Sequence, residues 1–372
     1  MTVAVRGADG APSAGRSAAT VRVVAGDDAA ALALFAHQQA ELAERYGEPD
    51  TGTFDPADLL AAVVVHDGAA DAEPVACVAL RDVSATDDGR GGLHPARTGE
   101  VKRLYVAREH RGRGHARAAM DALHAHAAAS GLERLVLETG TRQPESVDLY
   151  LDLGYAPTEP YGHYAGTPLT RCFALELPGD DTAPTSAPTS GPVTAPVAAP
   201  GARAVVEVRA TTWDDPVAAG LRREMHETSS VVLYPELLPG FEAAGGFDAV
   251  DARLGEGVVA SLVAWRADEP VGCAFLREVP GAVRDVHGEA LEVKKVFVRD
   301  HARRSGVARA LMAAAEHEAR GAGAATLLLE TGRRQPQAVA LYRSLGFRVV
   351  LPYPPYDDDP LGIGLCFAKP LT

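Results

Sequence analysis

Apolar and polar residues alternate along the chain in a way that predicts strands and helices in a fixed order. Thr20–Val24 alternates with the period of a strand, and Asp27–Arg45 predicts an Ala-rich helix capped by Asp27 or Asp28. Pro144–Leu153 predicts a later helix with proline in its first turn. A third helix, after the sequence RGRG, carries apolar side chains on one face, at Ala116, Met120, Leu123 and Ala127. The remaining strands are predicted at Ala61–His66, Val75–Arg81, Glu100–Val106, Leu132–Glu138 and Thr170–Leu177.

The second half of the chain repeats this order. The sequence EVKRLYV of Glu100–Val106 returns 192 residues later as EVKKVFV of Glu292–Val298, and Leu137–Tyr155 matches Leu329–Phe347 at the same spacing. The matching helix again places apolar side chains on one face, at Ala308, Met312, Ala315 and Ala319. Repeats of this length are whole domains, so the sequence predicts two homologous domains in tandem.

Segments that cannot form a core precede and separate the two copies. Residues 178–204 are rich in Pro, Ala and Thr, which favour exposed, extended conformations. We predict a flexible tail at residues 1–19, a first domain at 20–177, this linker, and a second domain at 205–372. In each copy, early antiparallel strands precede a strand–helix–strand–helix unit, so the fold class is α/β, with an α+β mixed sheet.

Charge narrows the range of partners. The 372 residues carry a formal net charge of −14, and the sequence pI is near 5.3. An acidic surface repels phosphate backbones, which disfavours nucleic acid as a partner, and it suits a cationic substrate. No apolar run is long enough to cross a bilayer, so no membrane partner is expected. The N-terminus lacks the apolar segment and processing site of an export signal, and we expect a cytoplasmic protein.

Cysteine and histidine offer no chemistry that both copies share. The four cysteines stand singly in apolar strand sequence, so we expect buried, inert thiols and no metal site: Cys77, Cys172, Cys273 and Cys366. His110 and His115 flank the Gly-rich stretch of the first copy, but Ala302 and Val307 replace them in the second. A shared mechanism that depends on histidine is therefore disfavoured, and we expect these two histidines to lie on the surface.

A Gly-rich loop follows the Glu100 strand and opens the next helix. The loop Arg111–Ala116 aims backbone N–H groups and a helix N-terminus at one point, which suits a pyrophosphate, and Gly114 permits a positive φ. A dinucleotide-binding fold would use the pattern GxGxxG, but the second copy has Arg304 at its first glycine. Both copies keep R-x-x-G-x-A instead.

This pattern after a strand, followed by a helix, a strand and a helix bearing LYxxLG(Y/F), resembles the Gcn5-related N-acetyltransferase (GNAT) superfamily. The resemblance covers nearly all of each copy. It implies a twisted, mostly antiparallel sheet flanked by helices, with acetyl-CoA as co-substrate. It also implies an acyltransferase that moves the acetyl group to a primary amine of a small molecule or peptide. Because no cysteine lies at the loop, we expect direct attack in a ternary complex.

The resemblance also implies catalytic residues. Glu100 and Glu292 begin the strand that leads into the loop, where many family members carry the general base. A strand-end carboxylate that faces solvent or Arg103 is the alternative. Tyr150 and Tyr342 match the acid that protonates the departing thiolate, against the alternative of a half-buried core tyrosine.

The cofactor contacts implied by the resemblance fall into three groups. The strand backbone would align with the pantetheine arm at Leu104, Tyr105, Val106, Val296, Phe297 and Val298. The two loops would hold the pyrophosphate with Arg111, Gly112, Arg113, Gly114, His115 and Ala116, and with Arg303, Arg304, Ser305, Gly306, Val307 and Ala308. Gln143 and Gln335 stand where family members often carry an asparagine that contacts the cofactor, which puts that contact in doubt.

Other functions stay open. One copy could be silent, and Arg304, which restricts the second loop, would then point to the second copy. A non-catalytic acyl-CoA-binding sensor is the alternative from another class. Arg45–Asp58 and Val232–Phe247, which we expect to line the acceptor clefts, differ greatly between the copies. We therefore predict distinct acceptor preferences, or one silent site. The oligomeric state is not readable from the sequence.

Overall fold

The computed structural model of the chain describes residues 2–3, 19–47, 55–178 and 205–371. Contacts between Cα atoms divide the chain into two compact units, Met1–Ala187 (unit 1) and Pro188–Thr372 (unit 2). The predicted linker, apart from Pro178, and most of the predicted tail lie outside the described residues. Within the described ranges, no helix combines the length and the apolar composition that crossing a bilayer requires.

Unit 1 follows the predicted order of elements. Its helices are α1 (Ala29–Tyr46), α2 (His115–Ala129) and α3 (Pro144–Asp152). Its strands are β1 (Thr2–Val3), β2 (Thr20–Val24), β3 (Leu59–His66), β4 (Pro74–Asp82), β5 (Thr98–Val106), β6 (Arg134–Gly140), β7 (Ala156–Thr158) and β8 (Thr170–Glu176). They form one sheet in the order β1-β2-β3-β4-β5-β6-β8-β7, in which β5 and β6 are parallel and the other neighbours antiparallel.

Unit 2 repeats the sheet and adds helices. Its strands are β9 (Val206–Thr211), β10 (Val258–Arg266), β11 (Glu269–Glu278), β12 (Ala290–Val298), β13 (Thr326–Gly332), β14 (Arg348–Val349) and β15 (Gly364–Pro370). Its helices are α4 (Pro216–Met225), α5 (Val231–Leu233), α6 (Leu238–Ala243), α7 (Gly246–Gly255), α8 (Gly281–His287), α9 (Val307–Gly321) and α10 (Pro336–Ser344). The sheet order is β14-β15-β13-β12-β11-β10-β9, and the pair β12–β13 is parallel. The predicted mixed, mostly antiparallel fold class is confirmed in both units.

Three local expectations need correction. Thr2–Val3, inside the predicted flexible tail, pairs with β2, whose edge offers unpaired N–H and C=O groups. The short strands β7 and β14 are too brief to show a period. The order of elements is also not a strict copy, because α6, α7 and α8 occur only in unit 2 among the described residues.

The first helix of each unit carries the clearest difference. Asp28 and Asp215 accept hydrogen bonds from the first N–H groups of α1 and α4 and stand 187 residues apart. Tyr46 and Tyr234, at the far ends, stand 188 apart. Helix α1 is continuous, whereas α4 runs into a π-helical turn at His226–Ser230 before α5. A π turn absorbs one extra residue within a helix, so the two tyrosines keep corresponding positions.

Two hydrophobic clusters on one face of each sheet leave a gap between them. In unit 1, α1 packs its buried Leu34 and Phe35 on β3 and β4. Tyr161 and Tyr164, in the loop that leads into β8, pack on Val136 and Cys172. Between these clusters, β5 presents Glu100 and Lys102 on the same face. In unit 2, α4 packs on Phe275 and Phe297, and Tyr353 packs on Leu328 and Cys366.

Candidate active site

The parallel strands at the centre of each sheet separate partway along. The ladder between β5 and β6 ends at Val101 and Leu137, and the ladder between β12 and β13 ends at Val293 and Leu329. The antiparallel pairing of β5 with β4, and of β12 with β11, also shifts there. A step of three residues on β5 or β12 lies opposite a step of two residues on the neighbouring strand. Such a bulge turns the strand and frees backbone groups for a ligand.

One non-glycine residue in each bulge has a left-handed backbone conformation. Arg103 has φ of 58° and Lys295 has φ of 53°, at positions that correspond in the two copies. A non-glycine residue with this φ is strained, and such strain concentrates at functional sites. The two bulges leave the predicted pantetheine segments, Leu104–Val106 and Val296–Val298, beyond the end of the parallel ladder. Phe297 itself is buried in the core, so its backbone is the part that can reach a cofactor.

The loops after β5 and β12 open their helices as the sequence predicts. Gly114 and Gly306 stand just before α2 and α9 with φ of 89° and 94°. The first N–H groups of both helices point toward the loop, and glycine has no side chain that could accept their hydrogen bonds. Arg304 adopts φ of 60°, close to the 73° of Gly112. A Cβ at Gly112 would meet nothing within 4 Å, so a side chain has room at that position of the unit 1 loop. That Arg304 restricts the second loop stays a prediction.

A cavity of about 380 Å³ lies beside the glycine loop of unit 1. It is lined by most of the predicted cofactor residues of this copy: Leu104, Tyr105, Val106, Arg111, Gly112, Gly114, His115, Ala116 and Gln143. Arg113 is not among the lining residues, because it pairs with Asp67 at 2.8 Å. The wall opposite the loop comes from α1 and α3, with Gln38, Glu41, Arg45, Glu145 and Leu149.

Acidic side chains hold the arginines of this loop. Glu41 accepts from Arg111 at 2.6 Å and from Arg108 at 3.4 Å, and Arg108 also pairs with Glu44. Burial acts to raise the pKa of Glu41, but Arg111 and Arg108 outweigh it and lower that pKa. In unit 2, Arg303 pairs instead with Asp300, its neighbour within the loop, at 2.8 Å.

Asp67, His110 and His115 form the group that could hold a cation within the described residues. His110 Nδ1 lies 3.0 Å from Asp67 Oδ2, and Arg113 shares that oxygen. The guanidinium already supplies positive charge to this carboxylate. His115 is buried, so the expectation of a surface position is wrong for it: as the first residue of α2 it turns inward against Asp67.

The predicted bases are buried and paired. Glu100 is 0% exposed and Glu292 1% exposed, so neither faces solvent. Glu100 pairs with Arg81 at 2.5 Å, not with Arg103, and accepts from the Tyr161 hydroxyl at 3.0 Å. Glu292 lies 3.4 Å from Arg277 and accepts from the Tyr353 hydroxyl at 3.1 Å. Their role as general bases stays a prediction.

The predicted acids, Tyr150 and Tyr342, are buried in the core, each 6% exposed. Tyr150 packs against Tyr155 and Phe173, and Tyr342 packs against the corresponding Phe347 and Phe367. Burial raises the pKa of both phenols, and the negative charge of a nearby glutamate adds to the rise. A phenol of ordinary pKa is already protonated at pH 7, and a raised pKa makes it a weaker acid, so the acid role of these tyrosines stays a prediction.

Those nearby glutamates, Glu138 on β6 and Glu330 on β13, are functional candidates that the sequence reasoning missed. Their charges act on Tyr150 and Tyr342 respectively. Glu330 also lies 3.8 Å from Lys294, and its side chain is 20% exposed, against 2% for Glu292. Both stand in the repeated sequence LETG, so the repeat itself carried the signal.

A tyrosine from the first helix closes the same region. The Tyr46 hydroxyl accepts from the Arg142 N–H at 3.2 Å, and the Tyr234 hydroxyl accepts from the Arg334 N–H at 2.9 Å. A Cβ on Gly140 or Gly332 would come within 1.8 or 2.1 Å of these hydroxyls. The change of spacing from 192 to 188 residues hid this correspondence in the sequence.

The four cysteines are free and buried, as predicted. Burial raises the pKa of the Cys273 thiol to about 12, and it raises the pKa of Cys77 and Cys366 as well. A thiol with a raised pKa is a poor nucleophile at neutral pH.

Known proteins match both units. The sequence model of the acetyltransferase (GNAT) family matches residues 29–155 and again residues 231–347. An IAA acetyltransferase of Azospirillum brasilense is 44% identical over 111 residues, which cover 30% of this chain and 67% of that protein. The solved IAA acetyltransferase of Bacillus cereus is 18% identical, over 45% of this chain and 99% of its own, with a TM-score of 0.32. A GNAT family acetyltransferase of Elizabethkingia anophelis with acetyl-CoA bound is 16% identical, over 44% and 97%, with a TM-score of 0.29.

The chain belongs to the GNAT acetyltransferase family, with one family domain in each unit. It is an acyltransferase that takes its acyl group from an acyl-CoA. The resemblance read from the loop and the LY motif is thereby confirmed, as is the predicted enzyme class.

Proposed function

We propose that each unit transfers an acetyl group from acetyl-CoA to a primary amine of a small molecule or peptide, by direct attack in a ternary complex. The observation that carries the proposal is the strand separation at Val101 and Leu137, which opens beside the glycine loop and its cavity. The same separation recurs at Val293 and Leu329. The buried cysteines, with their raised pKa values, support direct attack over an acyl-cysteine intermediate.

The cofactor would lie along this opening. The first N–H groups of α2 and α9 would bind the pyrophosphate, and the glycines before them let its oxygens approach closely. The pantetheine arm would add a short strand along Leu104–Val106 or Val296–Val298, and the thioester oxygen would accept from a freed backbone N–H. Gln143 lines the cavity, which supports a contact of its amide with this arm.

The acceptor amine must lose a proton before or during attack. An alkylammonium with a pKa near 10.4 costs about 4–5 kcal/mol to deprotonate at pH 7. We assign the proton to Glu330 in unit 2 and to Glu138 in unit 1, because Glu330 is partly exposed while Glu292 is enclosed by its partners. Glu100 and Glu292 would then act indirectly, by fixing the side chains around them.

The thioester carbon bonds to the amine nitrogen as the carbon–sulfur bond breaks. The departing thiolate would take a proton from Tyr150 or Tyr342, because a phenol is protonated at neutral pH. The acidic protein attracts cationic amines to both units. The helical segment over the site differs between the units, which supports distinct acceptor preferences.

A thiol-release assay tests the proposal. Acetyl-CoA is supplied with an aminoglycoside, a polyamine, free amino acids or short peptides with a free N-terminus, and coenzyme A thiol is measured. We expect release above background with at least one amine, and loss of it in the full-length double variant Glu138→Gln/Glu330→Gln. The matched double variant Glu100→Gln/Glu292→Gln locates the base: a larger loss there would return that role to the Glu100 position. Cofactor binding without amine-dependent release would instead support a sensor.

A further inference from the structure

In unit 2, Lys294 lies between Tyr356 and Glu330, the glutamate proposed above to take the proton of the acceptor amine. Lys294 Nζ forms a short hydrogen bond with the Tyr356 hydroxyl and lies 3.8 Å from Glu330 Oε2 and 4.0 Å from Glu292 Oε1. Its ammonium group also lies 4.7 Å from the centre of the Tyr356 ring. The lysine is therefore held on one side by a tyrosine and faces two carboxylates on the other.

Unit 1 repeats the contacts of the lysine with the tyrosine and with the glutamate of its own strand. Lys102 forms a short hydrogen bond with the Tyr164 hydroxyl and lies 3.5 Å from Glu100 Oε1. The lysine, the tyrosine and the β5 or β12 glutamate are each separated by 192 residues from their counterpart in the other unit. Two units whose first helices have diverged thus keep this set at constant spacing.

The choice of lysine at these positions stands out in this chain. The chain has four lysines, Lys102, Lys294, Lys295 and Lys369, among 36 basic residues. Arginine thus serves nearly everywhere else, including at Arg81 and Arg277 beside the same glutamates. A lysine ammonium is a compact point charge, whereas a guanidinium is broad and planar. A compact charge suits a position 3.8 Å from Glu330 and 4.0 Å from Glu292.

We propose that Lys294 is a positioning residue that keeps the Glu330 carboxylate ionised and fixed beside the acceptor amine, with Tyr356 holding the lysine in place. Lys102 and Tyr164 are the counterparts in unit 1. The inference rests on the proposed function, because it assigns a task to Lys294 only if Glu330 receives the proton.

The charges around Glu330 explain why a cation is needed. The groups that face it are Glu292, Lys294 and Lys295 from β12, Asp359 and Tyr356 from the loop before β15, Tyr234 from the end of the first helix, Tyr342 from α10 and Cys366 from β15. Burial raises the pKa of Glu330 above its ordinary value, and Glu292 and Asp359 raise it further, while Lys294 and, less strongly, Lys295 lower it and limit the rise. Without Lys294, the strongest opposing influence is gone and the carboxyl group stays protonated to higher pH.

The test uses the full-length chain with Tyr150→Phe, so that turnover reports on unit 2. With acetyl-CoA and the amine of highest turnover in the screen, kcat/KM is measured from about pH 5.5 to 9.5 for Lys294→Met and Lys294→Arg. We expect the acidic limb of the Lys294→Met profile to move up by about 1–3 pH units, the range typical of a close opposite charge. Turnover at pH 7 should fall about tenfold or more and recover at high pH. Lys294→Arg keeps the charge in a broader group and should restore the acidic limb only in part.

Controls separate this task from a structural one. Lys369→Met removes a lysine of the same unit that pairs with Glu316, and its profile should match the parent. Tyr356→Phe keeps the charge but releases the lysine, and should shift the acidic limb in the same direction by less. This second variant also serves if Lys294→Met does not fold.

Unchanged acidic limbs in Lys294→Met and Tyr356→Phe, with coenzyme A binding intact by calorimetry, would overturn the inference alone. Full turnover by Glu330→Gln in the same background would instead overturn the assignment of the base. The two failures are therefore distinguishable.

Discussion

Unit 1 and unit 2 share an inner set of side chains and differ in what surrounds it. Glutamate, lysine and tyrosine residues on the acceptor side recur at a spacing of 192 residues, and the strand gap and the bulge recur with them. The first helix of each unit does not recur unchanged. Helix α1 is continuous over 18 residues, whereas α4 ends in a π turn that is followed by further helices. The inner set recurs while the helical segment over it differs, which is the pattern expected if the proposed chemistry is common to both units and the acceptors differ.

The glycine loops differ in the same way. In unit 1, a carboxylate from the first helix, Glu41, binds Arg111 of the loop inside the cavity. In unit 2, Arg303 is bound by Asp300 of its own loop, and a threonine, Thr228, corresponds to Glu41 in the count from the helix cap. A carboxylate from the first helix thus binds the loop arginine in unit 1, whereas a carboxylate of the loop itself does so in unit 2.

The largest effect is expected from the two tyrosines in the LY motifs. Tyr150→Phe combined with Tyr342→Phe should lower kcat by about 10²–10⁴-fold, the usual contribution of a positioned general acid. Each single variant should keep the turnover of the other unit, which thiol release with several amines would measure. If one single variant already abolished release with every amine, the two units would not be equivalent enzymes.

The second largest effect is expected at Gly140 and Gly332, which contact Tyr46 and Tyr234 respectively. Gly140→Ala and Gly332→Ala each force a Cβ against a tyrosine hydroxyl, and overpacking of this kind costs about 1–3 kcal/mol. We expect a lower Tm in calorimetry and weaker turnover in the affected unit. Gly321→Ala in α9, where a Cβ meets nothing within 4 Å, is the matched control and should not lower the Tm. Equal stability of all three variants would refute the shared contact.

A smaller effect is expected where the loops differ. Glu41→Gln should release Arg111 and remove a negative charge from the cavity, so unit 1 should bind coenzyme A about 3–10-fold more tightly at low salt. Calorimetry would resolve this as a change in one of two sites. Glu44→Gln, which removes a carboxylate that pairs with Arg108, is the control and should change the affinity less. Weaker binding by Glu41→Gln would mean that Glu41 orients the arginine for the cofactor.

The smallest effect is expected at Arg304. Its φ of 60° is strained for arginine, and glycine occupies the corresponding place in unit 1. Arg304→Gly should relieve strain, offset in part by the greater freedom of glycine in the unfolded chain, for a net gain of about 0.5–1 kcal/mol. Chemical denaturation would measure it. A loss of stability would show that contacts of the Arg304 side chain stabilise the fold by more than the backbone strain costs.

The sequence predicted the regular elements well because their periods are local. Thr20–Val24 is a strand with the predicted bounds, and the helix after the first loop buries Met120, Leu123 and Ala127 as its spacing required. The bulges at Arg103 and Lys295 escaped prediction, since a register shift depends on the neighbouring strand and leaves no mark in the period of its own strand. The helices α6 and α7 lie in a segment where the copies share no pattern.

The candidate site divides along the same line. The glycine loop was readable because a tight turn into a helix restricts residue types within a few positions, and the repeat revealed it twice. The partners of Glu100 and Glu292 were not readable, because Tyr161 and Tyr353 stand 61 residues further along the chain. The burial of Glu100 and Glu292 favours Glu138 and Glu330 as the base, and burial depends on the whole fold.

By itself, the sequence determined that this protein has two homologous domains, each with a glycine-containing turn between a strand and a helix, because those features depend on neighbouring residues. The tertiary structure decided which carboxylate is enclosed and which is open, and where a lysine meets a tyrosine and a glutamate. Those are contacts between distant segments, and their distances and burial, which set the pKa values, exist only once the sheet has formed.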